Sequence, residues 1–133
     1  ALNDMYEKRN LQPCEYLRSL NTVFMHRPYK RMPETGLAVS YLFALGSGTS
    51  KDREELGAYC FEAGIEPDAI LREMSSKPEI AALATPERST YEAYPLTMAV
   101  FRVFRGSHRY QEEILNKLYE LELDKRGTNI EYN

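Results

Sequence analysis

His26, Arg27, Tyr29, Lys30 and Arg31 fall within six residues, and Arg102, Arg105, His108, Arg109 and Tyr110 fall within nine. Both runs are free of acids. With Arg18, the interval between Glu15 and Glu34 carries four Lys and Arg residues and no carboxylate, and the interval between Glu92 and Glu112 carries three and none. Guanidinium and ammonium groups attract a phosphate backbone, and aromatic rings among them offer stacking surfaces to exposed bases. On one continuous helix, Arg102, Arg105 and Arg109 would share a face at i, i+3 and i+7, provided Gly106 does not interrupt it. The candidate nucleic-acid contacts are therefore Arg18, Arg27, Tyr29, Lys30, Arg31, Arg102, Arg105, His108 and Arg109. The competing reading is a solvated charged face, or pairing with the segment Asp52–Glu79, which sets eight acids against Arg53, Arg72 and Lys77. The formal net charge of -3 weighs against a dedicated nucleic-acid protein, so the argument rests on how the charge is segregated and not on its sum.

Other chemistries find little footing. Cys14, Cys60, His26 and His108 are the only soft metal ligands, and none has a second at the short spacing that zinc sites use. There is no G-x-S-x-G, no Walker loop, no G-x-G-x-x-G and no paired-carboxylate motif. Gly46-Ser47-Gly48-Thr49-Ser50 ahead of a helix invites an anion-binding reading, but Lys51 follows Ser50 where a phosphate loop has its lysine before the hydroxyl residue. A loop ending in an N-cap explains it better. Leu56–Met74 has the outline of a helix-turn-helix around Gly64-Ile65. Its second helix brings Glu66, Asp68 and Glu73 against Arg72 alone, which repels a polyanion, so it reads as an ordinary helical corner. No catalytic residue, metal or cofactor is expected. Tyr91, Tyr94, Tyr110 and Tyr119 at helical intervals read as packing at the core edge.

The elements that must position the basic segments are helical. Pro13 opens a helix carrying Cys14, Leu17, Leu20 and Phe24, expected to end near His26 because Pro28 disfavours helix before it. His26–Pro33 is a proline-bracketed basic loop. Thr35–Leu45 is apolar nearly all round and reads as a central buried helix. Thr49 or Ser50 caps the next helix, with Asp52 and Glu54 in its first turn and Gly64 at its end. Pro67 starts a shorter helix through Met74, and Pro78 a further turn through Ile80 and Leu83. Thr85–Thr90 reads as an exposed loop. Pro95 begins an apolar helix that meets a Gly106-Ser107 joint. The last helix sets Ile114, Leu115, Leu118 and Leu121 inward, with Glu112, Glu113, Lys117 and Glu120 outward. No hairpin signal is present.

The 133 residues fit one domain, and 43% hydrophobic content is enough to build its core. The expected architecture is all-α, a compact single-domain bundle of about five to seven helices over 13–123, with a loose arm at 1–12 and a frayed tail at 124–133. Two isolated cysteines, no signal-peptide core and no apolar run of about 18 residues place the expected chain in the cytoplasm, away from membranes, with both thiols reduced and buried.

These readings converge on a non-catalytic helical subunit of a multi-protein nucleoprotein complex, touching a DNA or RNA backbone without sequence readout. Length, helical content and lack of an active site give it the format of the small helical subunits of CRISPR effector complexes of antiviral defence. That is an analogy of format which no motif carries. The alternative is an adaptor or inhibitor that docks an acidic protein partner through the same cations.

Overall fold

The computed structural model of the chain describes residues 11–23, 32–76 and 94–119. Among them are six helices and no strand, with 82% of these residues helical, which is the expected all-α class. The helices are α1 (Pro13–Ser19), α2 (Met32–Gly46), α3 (Ser50–Ala63), α4 (Pro67–Ser76), α5 (Pro95–Arg105) and α6 (residues 108–119).

Helix α2 is the centre. Leu37, Ala38, Val39, Tyr41, Leu42, Ala44 and Leu45 are all buried, and α1, α3, α4, α5 and α6 pack around it. An apolar surface on every side leaves such a helix no stable place except the interior. Its buried hydroxyl, Ser40, donates to the Gly36 carbonyl at 2.7 Å and so needs no water. The helix begins at Met32, three residues earlier than expected. Pro33 lies in the first turn, where its missing N–H costs nothing, so Met32 and Pro33 belong to the helix and not to the expected loop.

Local chemistry sets the boundaries of α3. Thr49 accepts the Asp52 N–H at 3.2 Å, and the Asp52 carboxylate accepts the Thr49 N–H at 3.0 Å, closing a capping box. Gly48 makes that possible, because a Cβ there would collide with the Asp52 carboxylate. Gly64 ends the helix with φ of 72°, a left-handed conformation that favours glycine. Helix α5 is capped from a distance. The buried Glu73 carboxylate of α4 accepts the N–H groups of Leu96 (3.2 Å) and Thr97 (2.7 Å) and the Thr97 hydroxyl (2.8 Å). From α5, Phe104 meets three rings: Tyr41 of α2 stacked at 5.4 Å, and Tyr59 of α3 and Tyr110 of α6 edge-on at 5.3 and 5.6 Å. Tyr94 and Tyr110 are therefore core residues and not core-edge ones.

Two expectations need correction. Helix α1 ends at Ser19, with Leu20 extended, instead of running to His26. Lys117 reaches over from α6 and donates to the Arg18 and Leu20 carbonyls at 3.3 and 2.6 Å, while the Thr22 hydroxyl donates to the Lys117 carbonyl at 3.1 Å. The end of α1 is thus satisfied by tertiary partners. Lys117 is buried where the polar pattern set it outward. Glu113 likewise turns inward, from a π-helical turn over Gln111–Leu115 in the middle of α6. The turn expected through Ile80 and Leu83, the loop at Thr85–Thr90, the arm up to residue 10 and the C-terminal tail lie outside the described residues.

Candidate nucleic-acid interface

The nine candidate contacts separate into three groups. Arg27, Tyr29, Lys30 and Arg31 lie outside the described residues. Arg18 and Arg109 turn inward. Arg102, Arg105 and His108 face solvent.

Arg18 leaves α1 towards the middle of the bundle. Its Nη1 donates to Asp52 Oδ1 at 3.2 Å and its Nη2 to the Tyr41 hydroxyl at 3.0 Å. Its Nε lies 3.9 Å from Glu113 Oε1, within ion-pair range but too long for a hydrogen bond. The Tyr41 hydroxyl donates onward to Glu55 at 3.1 Å. Arg109 closes the circuit, holding Glu55 at 2.9 Å and Glu113 at 3.3 Å. Two guanidinium groups therefore meet three carboxylates, Asp52, Glu55 and Glu113, in a ring that ties α1, α2, α3 and α6 together. The ring neutralises both of its guanidinium groups and carries one carboxylate in excess.

Electrostatics follow this geometry. Burial works against the charge on Arg18, but the Tyr41 and Asp52 partners outweigh it and hold the guanidinium more firmly protonated than usual. Burial also opposes ionisation of Asp52. The Thr49 N–H, Arg18 and the Thr49 hydroxyl overcome it and keep the carboxyl below the ordinary 3.8. Burial, then Asp52, pushes the Cys14 thiol up to about 12.

The ring answers whether the two basic segments meet. Their inward members do, on the same oxygen, Glu113 Oε1. That meeting takes charge away from solvent. The expected single face of Arg102, Arg105 and Arg109 is interrupted, because α5 ends at Arg105 and the Gly106-Ser107 joint re-aims the chain. Ser107 caps α6 by accepting the Tyr110 N–H at 3.2 Å, as its position suggested.

What faces solvent is the end of α5. Arg102 and Arg105 sit at i, i+3 in its last turn, both exposed, and neither pairs with a carboxylate among the described residues. Their place also complements the negative end of the helix dipole, so part of their presence is explained without a ligand. Beyond the joint, exposed His108 bonds Glu112 at 2.9 Å. Arg105, Ser107, His108 and Gln111 border an open depression of about 430 Å³, with Glu34 of α2 on another side. This polar rim can meet an anion, although Glu34 and Glu112 limit how much negative charge it tolerates.

Other predicted features fall into place. Glu66 and Asp68 are exposed on the would-be recognition helix, which confirms an acidic surface there, while Glu73 is the inward cap of α5. Cys14 and Cys60 are free and buried. Among the described residues no group of three or more potential ligands could hold a metal, and no helix is long and apolar enough to cross a membrane. The ion ring escaped the sequence reading entirely; the i, i+4 spacing of Arg109 and Glu113 was the one local signal of a helix pair that could have pointed to it. Comparison with protein-family models, with curated proteins and with solved structures finds no match to the chain.

Proposed function

We propose that the chain is a non-catalytic subunit of a nucleoprotein assembly, touching a nucleic-acid backbone without reading sequence through the exposed end of α5. One observation carries this reading: Arg102 and Arg105 are solvent-facing, share a helix face and have no carboxylate partner among the described residues. Two cations without a carboxylate partner among the described residues can displace counterions from phosphates, whereas Arg18 and Arg109 already hold theirs. The other basic segment adds support by connectivity. Glu34 lines the depression beside Arg105, and Arg31 stands three residues before it in the chain. Arg27, Tyr29, Lys30 and Arg31 stay in the proposal on charge alone.

The alternative, docking of an acidic protein by the same cations, is favoured by the smallness of the exposed charge once Arg18 and Arg109 are subtracted. Binding of labelled single-stranded and duplex nucleic acid at low salt, by the wild-type chain and by R102E/R105E, separates the two. The nucleoprotein reading expects salt-sensitive binding, indifferent to sequence, that the double variant weakens. No binding at low salt, alone or within a purified complex, ends that reading.

A further inference from the structure

On α3, Phe61 is 88% exposed, while the other large hydrophobic side chains among the described residues are at least partly buried. It stands on α3 one turn beyond Gly57 and Ala58. Ala58 is exposed, and a Cβ added at Gly57 would meet no atom within 4 Å. Nothing in the interior requires glycine at 57, and a mid-helix glycine weakens its helix. Phe61 beside a bare stretch of backbone forms a knob and a shelf on the same helix face, neither explained by the packing of this chain.

The charge along this stretch of the chain is of one sign. From Glu54 to Leu71 the chain has no Lys, Arg or His. Its acids are Glu54, Glu55, Glu62, Glu66 and Asp68; Glu55 is held inside by Arg109, and the other four are exposed.

We propose that the outer face of α3 around Phe61 docks a protein partner whose contact surface is basic and offers an apolar pocket. Charge complementarity selects that occupant. A second copy in a two-fold dimer would set the same four acids against each other, and a nucleic acid would be repelled. A bare Gly57-Ala58 shelf lets a partner helix approach closely while Phe61 fills its pocket. Exposed aromatics of this kind often anchor an interface and carry much of its energy. The proposal concerns a different surface from the end of α5 and stands whether or not that surface binds nucleic acid.

The test titrates the full chain with two synthetic amphipathic helical peptides that share a Leu face and differ in having Lys or Glu on the polar face. The Lys peptide is expected to bind saturably and to shift the NMR signals of Ala58, Phe61 and Ile65. The Glu peptide should bind at least about tenfold more weakly. F61A, which changes an exposed side chain and should leave the circular dichroism unaltered, is expected to weaken the Lys peptide by about tenfold or more. G57A should raise the thermal midpoint yet weaken peptide binding, because its methyl helps the helix and fills the shelf. Equal binding of both peptides, or unchanged binding by F61A and G57A, overturns the proposal. So does a concentration-dependent dimer of the chain that F61A abolishes, since a second copy would then be the occupant.

Discussion

Arg18 shows how one residue can carry two opposite meanings. By charge it belongs to a basic segment open to phosphates; by position it is the internal partner of Asp52, Tyr41 and Glu113. Asp52 gives this arrangement a pH signature. Its carboxyl is held below the ordinary 3.8 in the fold, so its contribution to stability is complete above that value and is lost as pH falls below it. D52N should cost about 1–2 kcal/mol near neutral pH, a modest figure because Arg18 remains partly solvated and an asparagine oxygen can still accept the Thr49 N–H of the capping box. The gap from wild type should close as pH drops below about 4, read from urea unfolding across the range. A gap that stays constant from neutral to pH 3 would show that the ring does not depend on this ion pair. The Cys14 thiol supplies a second residue-scale check. With burial pushing it to about 12 and Cys60 raised by burial as well, neither should react with a thiol reagent at pH 8 until the chain is unfolded in denaturant. Rapid labelling of the folded chain would contradict the buried placement of both.

Elements were legible wherever local chemistry marks their ends. Thr49, Gly64, Pro67, Pro95 and Ser107 all stand where helices start or stop, because capping and proline geometry act within a few residues. Boundaries set by distant partners were not legible. Helix α1 stops early because Lys117, nearly a hundred residues later, takes its last carbonyls. The π-helical turn of α6 has no local marker either, and Lys117 and Glu113 consequently read as surface residues. Glu73 makes the strongest element-scale prediction. Replacing it by alanine leaves the N–H groups of Leu96 and Thr97 and a fully buried Thr97 hydroxyl without acceptors. We expect E73A to cost about 3 kcal/mol in urea unfolding, and E73Q, which keeps one acceptor, to cost less. An E73A cost within about 0.5 kcal/mol would mean that α5 does not depend on this cap.

At the scale of the molecule, charge segregation along the chain becomes three places in space. Part of the basic charge joins acids in a ring that binds four helices. Part remains exposed at the end of α5. The exposed acids Glu54, Glu62, Glu66 and Asp68 lie in the same stretch of chain as the exposed Phe61. The helical class was readable because periodicity and caps agreed over most of the chain. The candidate site was only half readable. Acid-free composition marks Arg18 and Arg109 as much as Arg102 and Arg105, and only three-dimensional packing tells which guanidinium already has a carboxylate.

In the proposed function, Arg102 and Arg105 present their exposed cations to a phosphate backbone. Fluorescence anisotropy with labelled single strands and duplexes, from about 50 to 200 mM salt, tests it most directly. Two phosphate contacts predict a log–log salt slope of about -2 on duplex, similar for unrelated sequences. R102E/R105E should abolish most of this binding while costing about 1–2 kcal/mol of stability at most, since both side chains are exposed and lose only their favourable place at the negative end of α5. Binding that is absent at low salt, or that survives the double charge reversal undiminished, would contradict the account.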